Sequence, residues 1–413
     1  MSDVFKIRST CRLCESGDLT SVLDLLPTPI PDKYLPTDRA GESRELIPLD
    51  LLLCGVCGNL QTSAVIDPSV IYTHYLSRPA AVNPVLSSGY QGYAENVVKR
   101  YGVGKDDLVV EMGSNDGAFL SFFKDQGASV LGVDPARNLA EVAARSGIET
   151  LSTFFSSEVS ERIRKERGEA KAVIANFVYA NIDNVIDVTM GVRNLLAPDG
   201  IFSFETNYRV DVFQKDLIET INHEHLTYYS VKPLRDFFDR LGMQLLTVER
   251  VPSKGGSIRC VAQLEGGPYA VSDTVKELID MEMQNGVYQA SFYEPCRSHI
   301  TSVREEMRVF LQEIGEASPI AGYGTSIGAT ILIYQLGLGK VLDFLVDDDP
   351  YRQNLVSPGY HIPVQGPQTL IDQHAGHALI LAPLYAEQIM KKNQPYIEQG
   401  GKFVGIWPEV KIY

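Results

Sequence analysis

Four cysteines near the start of the chain have a spacing that prescribes chemistry: Cys11-Arg-Leu-Cys14 and, about forty residues later, Cys54-Gly-Val-Cys57-Gly58. Two Cys-x2-Cys knuckles let four thiolates converge tetrahedrally on one zinc, and the small Gly55 and Gly58 suit the turns that aim the sulfurs. Four thiolates close the coordination sphere. The metal is therefore expected to be structural, holding a segment with Pro27, Pro29, Pro31 and Pro36 that builds little core of its own. Buried free thiols or a redox pair compete with this reading, but neither accounts for a second knuckle.

A second cluster is Asn222-His223-Glu224-His225. His-x-His puts two rings on one face of an extended segment, as a metal site would, yet no third ligand of matching spacing stands out. A histidine beside a carboxylate equally suits a general base oriented by its neighbour. The plain alternative is a hydrogen-bonded loop without chemistry. Ser230 is a natural N-cap for a helix through Phe237 and Phe238, which places the cluster on a loop at a helix entrance.

The third constellation needs a nucleotide-holding fold around it. Asp107 to Leu120 reads as an apolar strand ending in Glu111, a sharp turn with Gly113, Asn115, Asp116 and Gly117, and then a helix. Where a dinucleotide fold brings pyrophosphate against backbone N–H groups, this loop carries a carboxylate, which opposes phosphate and suits a cation. S-adenosylmethionine, with its sulfonium and ammonium, fits that polarity. Asp134, followed by Pro135, stands roughly twenty residues on, where an acidic side chain can accept from both ribose hydroxyls. Asn176 closes the strand Lys171 to Asn176 beside the place of the donor's amino-acid part, or else caps the next turn.

These elements set the expected architecture. A helix is predicted over 87–101, and strands at 129–134, 171–176 and 200–205 continue an α/β rhythm. Strands at 243–251 and 257–264, joined by Pro252-Ser-Lys254-Gly255-Gly256, form a hairpin in which Lys254 and Arg259 bring positive charge to one end. Helical pattern follows over 272–316. A second glycine turn, Gly322-Tyr-Gly324-Thr-Ser326-Ile-Gly328, then opens another, smaller dinucleotide-fold-like unit; its glycines suit either phosphate approach or close helix–strand packing. The fold class is thus α/β: a central Rossmann-like class I methyltransferase domain (79–270), a small N-terminal zinc-binding domain (1–78), and a helical connector with a C-terminal Rossmann-like domain (271–413).

Composition narrows the partners. With 37 basic against 52 acidic residues the net charge is −15, which argues against a general grip on nucleic acid or an anionic membrane. A polar start and no stretch of membrane-spanning length lead to the expectation of a soluble, cytoplasmic protein. Its expected partner is a small molecule, and a monomer or homodimer is expected.

The chain resembles the three-domain, zinc-containing sugar C-methyltransferases that act on keto-deoxysugar nucleotides. The residues that carry the resemblance are the cysteine quartet, Glu111 to Gly117, His223-Glu224-His225, Gly255-Gly256-Ser257-Ile-Arg259, Tyr323-Gly324-x-Ser326 and Pro358-Gly359-x-His361-Ile-Pro363. It implies S-adenosylmethionine as donor, zinc in the N-terminal domain, and a nucleotide sugar held between domains. His225 would be the base that takes a proton from carbon next to a ketone, with Glu224 orienting it and Tyr75 donating to the oxygen or relaying the proton. Asn222 stands where the family usually has a tyrosine, and Ile327 where a lysine is expected. Transfer to oxygen or nitrogen, and a ligand-binding homologue without catalysis, stay open as alternatives.

Overall fold

A computed structural model describes residues 4–39, 45–73, 84–315 and 318–413. Its centre is a seven-stranded sheet of β1 (Leu108–Met112), β2 (Ser129–Val133), β3 (Thr150–Leu151), β4 (Ala170–Asn176), β5 (Leu196–Asn207), β6 (Met243–Val251) and β7 (Ser257–Leu264). The spatial order is β6-β7-β5-β4-β1-β2-β3, and β7 alone runs against the rest. Every residue of β1 is buried because helices cover both faces of the sheet. Val110 and Met112 join Phe202, Phe204, Tyr179 and Phe238 on one side, whereas Val109 joins Phe119, Phe123 and Ile174 on the other. Strand order reverses between β1 and β4. Just outside their carboxyl ends is the crevice where a doubly wound sheet holds its ligand.

The helix predicted over 87–101 runs from Pro84 to Tyr101. Helical pattern over 272–316 resolves into Asp273–Gln284 and Glu294–Ile314, with Pro295 inside the first turn of the second helix, where its missing N–H is not needed. At the entrance of helix Val231–Arg240, Ser230 makes no side-chain cap. Its hydroxyl accepts from Arg209, and Glu282 takes over the capping by accepting from Val231 N at 2.7 Å and Lys232 N at 3.2 Å.

The N-terminal sheet comprises Leu19–Thr28, Ile47–Cys54 and Leu60–Thr62, and its fourth strand, Thr227–Tyr228, is lent by the central region. That loan places the segment just after His225 directly on the zinc-bearing unit. The C-terminal sheet runs Val364–Gln365, Phe344–Val346, Ile320–Tyr323, His377–Ile380, Lys402–Gly405 and Lys411–Ile412, parallel except for the last strand. This is the Rossmann-like unit announced by the second glycine turn.

Candidate active site and zinc centre

The donor loop turns because three alternate positions accept left-handed backbone: Gly113 at φ 69°, Asn115 at 51° and Gly117 at 76°. A Cβ at Gly113 would lie 3.0 Å from Val178 and one at Gly117 2.9 Å from Ile148, so neither site has room for a side chain. Gly113, Asn115, Asp134, Pro135 and Asn176 come together on the wall of a cleft of about 2010 Å³ at the carboxyl ends of β1, β2 and β4. Asp134 accepts from Asn115 N at 2.9 Å and from Ala136 N at 2.8 Å, which fixes its carboxylate at the strand end. Burial pushes its pKa up, with both backbone N–H groups opposing. Glu111 lies beneath Asn176, whose side-chain amide donates to it at 3.5 Å; burial raises the Glu111 carboxyl well above its usual range, Asp134 adds to this, and Asn176 opposes. Asp116 and Gly117 do not line the cleft. Asp116 Oδ1 accepts from Ala118 N at 3.2 Å, so this carboxylate shapes the turn and the helix start from behind the cavity wall.

The His loop is stapled from two sides. His223 Nε2 lies 3.2 Å from Ile47 O and 3.1 Å from Pro48 O; since carbonyls only accept, this nitrogen carries the proton and the ring is an anchor to the N-terminal sheet. His225 Nδ1 likewise donates to Thr220 O at 3.1 Å, which leaves Nε2 with its lone pair. The two rings are thus held by separate backbone groups. Burial lowers the pKa of His225 to about 4, Lys254 adding to the shift, so the ring is neutral at pH 7. Asn222 organises the loop: its amide donates to Thr220 O at 3.1 Å and its oxygen accepts from Glu224 N at 2.9 Å. Leu226, next in sequence to His225, lines the cleft. Tyr75 lies outside the described residues.

Opposite stands a residue whose sequence signal was only its charge. Lys254 lines the cleft from the β6–β7 hairpin, with its Nζ 3.7 Å from the ring centroid of Phe177. Its exposed surface faces the cleft, and the protein enclosing that space lowers its pKa to about 8, with Glu224 and then Glu205 opposing. Lys254 at φ 48° and Phe177 at φ 52° both hold backbone that side-chain residues rarely adopt.

Across the two knuckles, Cys11 and Cys57 place their sulfurs 3.5 Å apart, as do Cys14 and Cys54, and all four lie within 4.8 Å of one another. A tetrahedron with Zn–S bonds of about 2.3 Å has edges of about 3.8 Å, so the quartet fits zinc. Each knuckle closes through a left-handed residue, Glu15 at φ 62° and Gly58 at 77°, whose N–H donates back to Cys11 O or Cys54 O at 2.9 Å. Four thiolates leave no open position for substrate.

Two buried arginines bolt this centre to the catalytic side, and the sequence held no sign of their partners. Arg12, inside the first knuckle and 0% exposed, donates from Nη1 to Thr62 O at 2.8 Å and to Leu226 O at 3.0 Å, while Nε reaches Asp183 at 3.2 Å. Arg209 donates to Gly58 O of the second knuckle at 2.7 Å and to Ser230.

Strand order, donor loop and strand-end acid together define a class I methyltransferase. The family model described as "Methyltransferase domain" matches residues 90–248, "Putative zinc binding domain" matches 11–72, and "C-methyltransferase C-terminal domain" matches 252–408. C-methyltransferase NovU of Streptomyces niveus is 32% identical over 418 aligned residues, covering 100% of this chain and 98% of the relative. The chain belongs to this three-domain C-methyltransferase family and is an S-adenosylmethionine-dependent methyltransferase with a structural zinc. Among solved structures, magnesium protoporphyrin IX methyltransferase of Synechocystis PCC 6803 with bound SAH is 14% identical and covers 45% of this chain and 88% of its own, with a TM-score of 0.35. The CcbJ methyltransferase of Streptomyces caelestis is also 14% identical, covering 46% and 94%, with a TM-score of 0.35.

Proposed function

We propose that the protein methylates a carbon next to a ketone in a nucleotide-linked deoxysugar, by way of an enolate, with His225 as the base. The observation that carries this reading is the state of His225: a neutral ring whose Nδ1–H is tied to Thr220 O, leaving Nε2 unprotonated with its lone pair, on the loop that also supplies Leu226 to the donor cleft. A carbon acid needs such a base, whereas the methyl group needs only in-line placement, which can lower a barrier by about 7–11 kcal/mol. Glu224, buried and not itself lining the cleft, lies within electrostatic reach of Lys254 and favours its charged form. Asn222, which the loop's own backbone engages, acts as a positioning residue.

The cleft also has room for a donor and a sizeable acceptor together: about 2010 Å³, bounded by Phe5 and Tyr72 of the N-terminal unit and Tyr385 of the C-terminal unit as well as by the sheet. Proton exchange tests the proposal. With a panel of keto-deoxysugar nucleotides in deuterated water and no methyl donor, the enzyme is expected to exchange the proton next to the ketone, and His225→Ala to abolish exchange. Absence of exchange and of turnover across the panel refutes the reading; a methoxy or N-methyl signal in the product assigns transfer to oxygen or nitrogen.

A further inference from the structure

Three cationic side chains line the donor cleft among the described residues: Lys6, Lys254 and Arg259. Two are committed. Lys6 pairs with Asp183 at 3.1 Å, and Arg259 pairs with Glu205 at 2.7 Å while its guanidinium lies 3.7 Å from the Tyr93 ring centroid. Among the described residues Lys254 has neither a hydrogen bond nor an ion pair at its ammonium, only the face of Phe177 beneath it. Phe177 directly follows Asn176 of the donor wall.

The backbone that presents Lys254 is tied down at each neighbour. Ser253 Oγ donates to Glu205 at 2.5 Å, Ser257 Oγ donates to Ser253 O at 2.9 Å, Lys215 donates to Gly255 O at 2.9 Å, and Tyr208 N donates to Gly256 O at 3.2 Å. Gly256 cannot relax the turn by accepting a side chain, since a Cβ there would fall 2.4 Å from Asp211. A lysine kept in left-handed backbone on so rigid a turn has its stem aimed before any ligand arrives. Preorganised donors of this kind are what a developing oxyanion requires.

We infer that Lys254 is a catalytic residue that donates from its ammonium to the acceptor oxygen as it becomes an enolate. The assignment rests on the keto-acceptor reading given above. His225 Nε2 takes the proton from carbon, the C–H electron pair becomes the C=C bond, and the carbonyl pair moves onto oxygen, where Lys254 meets it. As the carbon forms its bond to the methyl group, the oxygen returns to a carbonyl, the S–CH3 bond pair stays on sulfur, and the proton on His225 leaves to solvent. Glu224 and Glu205 keep the lysine charged in the enclosed space, and His225, being neutral, does not repel it.

The two other roles open to a cleft cation are gripping the donor's carboxylate and gripping an acceptor phosphate, and kinetics separate all three. Lys254→Met and Lys254→Arg are compared with the parent enzyme for donor-free proton exchange on the keto-deoxysugar nucleotide panel, for S-adenosylmethionine Kd by calorimetry, and for thermal unfolding. The expected result is a fall of about a hundredfold or more in the exchange rate at saturating acceptor for Lys254→Met, with donor Kd and unfolding within twofold and 2 °C of the parent, and partial recovery in Lys254→Arg. Exchange within threefold of the parent overturns the assignment, as does a change confined to donor Kd or to acceptor KM. A parent enzyme that neither exchanges nor turns over any panel member overturns the underlying reading instead, and the assignment with it.

Discussion

Replacing Arg12 by alanine should damage catalysis from a position that touches no substrate. Arg12 Nη1 supplies a charged donor to two buried carbonyls, Thr62 O and Leu226 O. Hydrogen bonds to charged groups contribute about 1.5–3 kcal/mol each, giving about 3–6 kcal/mol for the pair. Part of that is returned, because a guanidinium with no exposed surface is costly to bury, a cost visible in the lowering of its pKa to about 10. Asp183 loses little, since Lys6 at 3.1 Å and Arg8 at 3.0 Å remain. The net expectation is a loss of about 2–4 kcal/mol in urea unfolding. Leu226 O keeps its bond from Thr62 N at 3.0 Å, so the His loop loosens without detaching. Metal analysis should still find about one zinc, while kcat drops at least tenfold and the donor Kd stays put, because Asp134 and Asn115 are untouched. Arg12→Lys, whose ammonium lacks the planar fork of a guanidinium, should recover less than half of the stability. Retention of full kcat with a stability loss under about 1 kcal/mol would refute the coupling between zinc knuckle and His loop.

Gly117→Ala forces a Cβ to 2.9 Å from Ile148 at φ 76°, and should cost about 2–4 kcal/mol and weaken S-adenosylmethionine binding more than tenfold, as read by calorimetry. Glu219 has both carboxyl oxygens buried without a hydrogen-bond partner among the described residues, and burial raises its pKa to about 7. A carboxyl raised above its unfolded value stabilises the fold most at low pH and loses that contribution as pH rises through about 7; Glu219→Gln should therefore match the parent at pH 4 and exceed it at pH 8 by up to about 3 kcal/mol in unfolding experiments. With His225 neutral and Lys254 charged in the proposed roles, kcat/KM should hold between about 4 and about 8 and fall above about 8, where Lys254 loses its proton even with Glu224 and Glu205 opposing that loss. Lys254→Arg should carry the alkaline limb upward, and an unmoved limb would exclude the lysine as its source.

What was legible in the sequence was local. The knuckles and the strand–turn–helix with its glycines are written over a few residues each, and the structure sets the four sulfurs together and puts Gly113, Asn115, Asp134, Pro135 and Asn176 on one wall. Side-chain direction was not legible. Asp116 invites reading as a cation's partner, yet its oxygen meets Ala118 N, and Ser230 has the type of an N-cap, yet Arg209 claims its hydroxyl. Both outcomes depend on groups whose orientation a one-dimensional pattern does not contain. Leu226, which Arg12 holds, and Gly58, which Arg209 holds, lie 214 and 151 residues away in sequence, and the rigidity that gives Lys254 its direction comes from Glu205, Asp211 and Lys215 on other elements.

The borrowed strand Thr227–Tyr228 also dictates an order of events during synthesis. Leu60 and Gln61 emerge from the ribosome long before Tyr228 and Thr227, their partners in the N-terminal sheet, so zinc can gather its thiolates while one sheet edge still waits for a neighbour. Closing that edge brings His225 to its station in the same motion. An isolated N-terminal fragment would keep a sticky edge, and an isolated central fragment would lack the carbonyls of Ile47 and Pro48 that seat His223. The proton abstraction proposed for His225 would therefore switch on only with the completed chain.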